Sequence, residues 1–211
     1  QNIVSSASFS KTWDESGSSL NINYSRTQNL SNGNIYESLP NISFSKSITY
    51  PFKRDDTEST RNQKWYEYIG YSYSGQFSNT RNKVGSNLEI HGGFEHNIAL
   101  SASPKIGYFN ISPSVNYVEK WYNKRVKYEN KPYTTASGEV RDSIFTSNVN
   151  ELNFVRTFNT SVSASTKLYG IMNPNILGVE SFRHTLMPSI SYVYTPNFAS
   201  DRWGYFDYYT L

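Results

Sequence analysis

Residues 109 to 122, FNISPSVNYVEKWY, contain two interleaved sequences. Every second residue gives Phe109, Ile111, Pro113, Val115, Tyr117, Glu119 and Trp121, six of the seven apolar or aromatic. Between them lie Asn110, Ser112, Ser114, Asn116, Val118 and Lys120. Successive side chains of a β-strand point to opposite faces, so this alternation predicts a strand with one apolar face and one face of small uncharged polar groups. Something apolar must cover the first face.

The pattern recurs along the chain. Leu20, Ile22 and Tyr24 alternate with Asn21, Asn23 and Ser25; Ile42, Phe44, Ile48 and Tyr50 alternate with Ser43, Ser45, Ser47 and Thr49, with Lys46 as the one charge on the apolar side. Ile69, Tyr71, Tyr73 and Phe77 continue it, as do Phe94, Ile98, Leu100 and Ala102. Leu152, Phe154, Phe158, Val162, Ala164 and Leu168 form another apolar row, and Phe182, Leu186, Pro188, Ile190, Tyr192 and Tyr194 the last. With the poorer pattern of residues 3 to 13, eight strands are expected. No helix longer than a turn or two is expected. The connections expected to be short are 14–18 and 103–108; those expected to be longer and polar are 27–34, 79–87 and 123–148, with 51–64 a charged stretch where the alternation calls for a short turn.

Composition narrows what the apolar rows can face. Aromatic residues make up 16% of the 211, yet mean hydropathy is −0.63, because apolar residues occur singly rather than in runs. No stretch approaches the roughly 20 apolar residues of a membrane-spanning helix. A membrane role therefore requires strands, whose signal is weak because half of each strand faces away from lipid. The net charge of +3 is scattered and does not suggest nucleic acid. With no cysteine there is neither a disulfide framework nor a thiolate metal site. The first residues lack a charged and then apolar leader, so the sequence reads as a mature chain or an internal piece.

Strand length separates the candidate architectures. Soluble sandwich strands run about 5 to 6 residues, whereas the patterns over 109–122, 152–168 and 182–196 are two to three times longer. About 13 residues at roughly 3.3 Å each, tilted near 45°, span about 30 Å, the thickness of a bilayer's hydrocarbon core. Trp13, Tyr50, Trp65, Trp121, Tyr122 and Tyr169, near strand ends, suit the aromatic girdles of a membrane barrel. Rows of Ser and Asn suit a hydrated lumen. Eight strands alone close a barrel filled by side chains, which such rows would leave hollow, and an open edge in lipid has unsatisfied backbone groups. The fold expected is thus all-β: residues 1 to 211 as one antiparallel transmembrane segment of a larger outer-membrane β-barrel. The alternatives are a nonspecific porin or other transport barrel, and a secreted β-rich adhesin or solenoid, although the repeat a solenoid requires is absent.

The stretch LYGIMNPNILGVESFRHTLMPSISYVYTPNF, 168 to 198, resembles the barrel domain of the LptD family of outer-membrane lipopolysaccharide-assembly proteins, in the form found in Bacteroidetes-like bacteria. An Arg-His pair opens a strand, then come a Pro, alternating Ser and Tyr, and a closing Pro; here these are Arg183, His184, Pro188, Ser189, Ser191, Tyr192, Tyr194 and Pro196. ITYPFK at 48–53 followed by KWYEYIGYSYSGQF at 64–77, and GGFEHNIALSASPKIGYFNISPSVNYVEKWY at 92–122, are also similar to it. The resemblance implies a very large barrel in the outer membrane, preceded by a periplasmic domain and plugged by a lipoprotein of the LptE type. It implies lipopolysaccharide delivered by periplasmic bridge components and released through a lateral opening among the outer-membrane lipids. The disulfides of the proteobacterial members have no counterpart here, and no gate residue can be named.

At the level of single residues, Ile111, Val115, Tyr117, Leu186, Ile190 and Tyr192 are expected to face lipid. Arg183, on the polar row, has two readings: a lumenal contact with lipopolysaccharide phosphate or the plug, since guanidinium forks bind phosphate, and the preferred one, a hydrogen bond to turn backbone. His184 shares a row with Phe182 and Leu186, at the membrane interface. Pro113 and Pro188 fall inside predicted strands, where each removes one ladder bond; they mark bulges that shape curvature, or weakly paired seams. The segment 123–131, NKRVKYENK, could bind anionic headgroups or a partner. His91, His96 and His184 have neither metal-site spacing nor a motif placing a base beside a nucleophile. No catalysis, cofactor or metal is expected, and the phospholipase reading of a Ser- and His-bearing barrel is set aside.

Overall fold

The computed structural model describes residues 1–54, 63–173 and 181–205. It is all-β: β1 Asn2–Trp13, β2 Ser18–Asn29, β3 Ile35–Thr49, β4 Gly70–Val84, β5 Asn87–Ser101, β6 Lys105–Ile106, β7 Phe109–Tyr122, β8 Arg125–Thr134, β9 Val140–Val149, β10 Asn153–Thr166, β11 Leu168–Met172, β12 Phe182–Leu186 and β13 Ser189–Tyr194. The helical elements among the described residues are two short 3-10 turns, Trp65–Tyr68 and Asp201–Trp203, and no helix there is long and apolar enough to cross a membrane.

The main sheet runs in the order β1-β2-β3-β4-β5-β7-β10-β13, with β6 folded onto β7. Those eight strands correspond to the eight alternating patterns, each hydrogen-bonded to the next one in the path. The weak pattern at the start becomes a full strand, because β1 pairs residue for residue with β2 from Asn2↔Asn29 to Trp13↔Ser18.

Three expectations need correction. The polar stretch within 123–148 is not a loop: β8 and β9 form a hairpin of their own, paired from Arg125↔Val149 to Thr134↔Val140. The connection expected over 79–87 is mostly strand, since β4 and β5 run on to a tight turn at Gly85 and Ser86; Gly85 has φ 59°, the left-handed conformation that glycine adopts without a Cβ clash. The pattern over 182–196 is two strands, β12 and β13, separated by Met187 and Pro188. β12 pairs with β11 in a separate two-stranded sheet, from Leu168↔Leu186 to Met172↔Phe182, so Leu186 does not share a strand with Ile190. Most of the charged stretch 51–64 lies outside the described residues.

The chain divides into two compact units. One holds Gln1–Ser45, Ser74–His96 and Val118–Arg156; the other holds the described parts of Lys46–Tyr73, Asn97–Tyr117 and Thr157–Leu211. Neither has a conventional core: among the described residues no Ala, Val, Ile, Leu, Met, Phe, Trp or Tyr is buried, and the buried residues are Ser18, Glu37, Ser38, Glu67, Gly70, Gly75, Thr166 and Pro196.

Candidate functional site

The two faces of the main sheet are the candidate site. In the second unit β10 and β13 pair as Val162↔Tyr192 and Ala164↔Ile190 on one face and as Ser163↔Ser191 and Ser165↔Ser189 on the other. The serine face continues onto β7: Ser114 Oγ lies 2.6 Å from Ser161 Oγ, and Asn116 Nδ2 donates to Asn159 Oδ1 at 3.4 Å. Strand alternation then places Ile111, Pro113, Val115 and Tyr117 on the apolar face. Ile190 is 75% exposed and Tyr192 68%, so none of the described residues covers that face at β13. Val193, opposite Ser161, is the one large apolar side chain on the serine face of this ladder. Lys46, the charge on the apolar row of β3, has its Nζ 5.3 Å from the centre of the Tyr71 ring, a cation–π placement that shelters the ammonium.

The first unit repeats the division with different chemistry. On β1 and β2, Phe9↔Ile22 and Ala7↔Tyr24 share one face, and Ser10↔Asn21, Ser8↔Asn23 and Ser6↔Ser25 the other, where Ser10 Oγ donates to Asn21 Oδ1 at 2.7 Å. On β5, β7 and β10 one face carries an aromatic row. Phe94 lies 6.4 Å from Phe77 and 5.8 Å from Trp121, and Trp121 lies 5.7 Å edge-on from Phe154, all between ring centres. Glu119 belongs to that row and is held by two donors: Trp121 Nε1 at 3.0 Å and Arg156 Nε at 3.2 Å. The opposite face carries the Lys120 Nζ–Glu95 Oε2 ion pair at 3.2 Å. Glu37, nearly buried at its side chain, bridges Arg26 at 3.4 Å and Arg81 at 3.6 Å.

The β8–β9 hairpin carries Val126, Tyr128, Ile144 and Val140 on one face, broken by Asp142, and its other face is charged. Glu129 accepts from Lys127 at 3.0 Å and Lys131 at 2.6 Å, and Arg141 Nη2 donates to Glu139 at 2.8 Å. The two lysines, by hydrogen bond and charge, hold the Glu129 carboxyl down at about 2.

Of the residues singled out in the sequence, Arg183 lies on β12 with its guanidinium 4.5 Å from the centre of the Tyr169 ring on β11. Residues 174–180, which separate β11 from β12, lie outside the described residues. His184 stacks on Phe182, 6.3 Å away, on the row expected. Pro113 sits inside β7 where β5 has just ended: Ala102 N donates to Pro113 O at 3.0 Å. In an antiparallel pair a residue's N–H and C=O point to the same neighbour, so the donor that proline lacks would have faced the end of β5. Pro188 precedes β13, and its C=O accepts from Thr166 N at 3.2 Å. Both prolines mark places where a ladder stops. No group of three metal-ligating side chains occurs among the described residues. Sequence reasoning missed a concavity on the polar face beside Tyr122, because that tyrosine was grouped with Trp121 in a girdle although successive residues point to opposite faces.

No curated protein matches the chain. A family model described as LptD protein matches residues 1–211, the whole chain, with its uncovered apolar rows and polar opposite face. The chain belongs to the LptD family, whose members are outer-membrane proteins of lipopolysaccharide transport and assembly.

Proposed function

We propose that residues 1–211 are one segment of the barrel wall of the translocon that inserts lipopolysaccharide into the outer leaflet of the outer membrane. The observation that carries this reading is the sheet in which no described Ala, Val, Ile, Leu, Met, Phe, Trp or Tyr is buried. Ordering a backbone costs roughly 1–2 kcal/mol per residue, and the usual offset is apolar surface removed from water. Here protein–protein packing does not supply that offset, so hydrocarbon must: Ile111, Val115, Tyr117, Ile190 and Tyr192 lie against lipid. Leu186, on its own hairpin, lies against lipid at the edge of the bilayer.

The Ser and Asn rows then bound a wet passage. An amphiphile crossing such a wall keeps its sugars and phosphates in water along the polar face, while its acyl chains leave by an apolar route. The chain performs no covalent step. Its partners are lipopolysaccharide, a plug lipoprotein of the LptE type, periplasmic bridge components and the outer-membrane lipids.

The test is photo-crosslinking in cells from a benzophenone residue replacing Ser163 or Val162, in the full-length protein. Lipopolysaccharide captured from Ser163 and bulk phospholipid from Val162 is the expected result. Protein captured from Val162 at every growth condition would mean that a second layer covers the apolar face, and the reading would fall.

A further inference from the structure

The polar face of the first unit carries a concavity of about 430 Å³, within the range of small-ligand sites. Its position follows from the strands. The Lys120–Glu95 ion pair sets one face of β5 and β7, and alternation puts Gly93 and Tyr122 on it, opposite Phe94 and Trp121. Gln76 and Ser78, flanking Phe77, present the same face from β4 and line the concavity.

Gly93 makes the hollow possible. A Cβ built there would lie 3.0 Å from Trp121 O and 3.8 Å from Tyr122 Cδ1, so any side chain would press on the neighbouring strand and intrude beside the tyrosine ring. The Tyr122 ring stands against bare backbone and is 42% exposed. Around it are an acceptor (Glu95), a donor (Lys120), an amide (Gln76) and a hydroxyl (Ser78).

We infer that this concavity is a saccharide-binding station on the lumen wall. Its ligand class is the uncharged or weakly charged hexose units of the polysaccharide carried by the transported lipid. An aromatic ring gives a sugar's C–H face an apolar platform with a polar tip. Paired donors and acceptors at the rim match hydroxyls, which are donor and acceptor at once. Glu95 offsets Lys120, and Lys124 and His91 also line the hollow, so it accepts a polyol that is uncharged or weakly anionic. The inference rests on the reading that the polar face is the lumen.

The test uses the full-length protein in detergent with its co-purifying partner, and the lipid-free polysaccharide that mild acid releases from the host's lipopolysaccharide. Saturation-transfer NMR reports binding. Wild type binds; Tyr122→Ala weakens binding at least tenfold, Tyr122→Trp retains it, Glu95→Gln weakens it severalfold without changing heat-modifiability, and Thr146→Ala on the hairpin leaves it unchanged. Absence of wild-type binding, equal binding by Tyr122→Ala and Glu95→Gln, or displacement of the saccharide by millimolar inorganic phosphate would each overturn the inference. If any of these occurs while Ser163 still crosslinks lipopolysaccharide, the station falls and the barrel-wall reading stands. If Ser163 captures none either, both fall.

Discussion

β10–β13 and β8–β9 are both antiparallel ladders with unbroken register, and they differ in how many charges they carry and where those charges fall. Across the six pairs of β10 and β13 there is no charged residue, and Val162, Tyr192, Ala164 and Ile190 share a face. Across the ten pairs of β8 and β9 there are six: Arg125, Lys127, Glu129, Lys131 and Arg141 share one face, and Asp142 lies on the other with Val126, Tyr128, Val140 and Ile144. Alternation alone therefore does not make a membrane strand. What does is a row emptied of charge, because a charged side chain at mid-bilayer costs several times what it costs in water.

The most severe way to break this comparison is to put a cation on each ladder. Ile190→Arg places it on the uncovered apolar face of β13 and is expected to cost about 2–4 kcal/mol of barrel stability. Ser191→Arg, one residue on and on the serine face, and Ile144→Arg, on the hairpin, are each expected to stay within about 0.5 kcal/mol. The measurement is the folded fraction of each full-length variant on heat-modifiability gels after refolding into lipid. Equal losses for Ile190→Arg and Ser191→Arg would reverse the assignment of faces.

A smaller effect sharpens the contrast in charge. Glu37 and Glu129 each bridge two cations, but the Glu37 side chain is 11% exposed and that of Glu129 35%. Glu37→Gln leaves Arg26 and Arg81 facing each other near the sheet, and is expected to cost on the order of 1 kcal/mol after discounting for the half-exposed arginines. Urea unfolding of the refolded variants measures it. A Glu37→Gln midpoint no lower than that of Glu129→Gln would remove the distinction between the two bridges.

The difference between the ladders also explains what was legible in the sequence. β7 and β10 were readable over nearly their full length because a mainly apolar row, interrupted by Glu119 in β7 and by Arg156 and Thr160 in β10, alternates with a mainly polar one, and only an extended backbone separates them. β8 and β9 were read as loop because their apolar residues, Val126, Tyr128, Ile144 and Val140, are few and lie among six charged ones, although backbone pairing needs no continuous apolar row. The end of β4 was hidden because residues 79–83 are polar on both faces while the ladder continues to Gly85; in β5, Leu88 and Ile90 are too short a row to mark the strand's start. Met187 and Pro188 could have announced the break between β12 and β13, since proline cannot donate to a ladder, but the apolar row runs straight across them. The hollow beside Tyr122 depends on a glycine in one strand meeting a tyrosine in another, a coincidence of register that no single strand contains.

The last contrast is the mildest, and it concerns protons. The Glu129 carboxyl titrates at about 2 against an ordinary 4.5. A folded-state value below the unfolded one means that the Lys127–Glu129–Lys131 bridge stabilises the hairpin above about pH 4.5 and that this contribution is lost as pH falls through about 2. All three side chains are open to water, so salt should weaken the bridge as acid does. Carboxyl carbon shifts of Glu129, followed by NMR in the full-length protein from pH 6 downward, should give a midpoint well under that of an exposed glutamate, and the midpoint should rise toward the ordinary value in 1 M salt. A midpoint already ordinary at low salt would mean that the lysines are mobile around Glu129 instead of bridged to it. The hairpin would then depend on its backbone ladder alone, as the β10–β13 pairing does on its serine face.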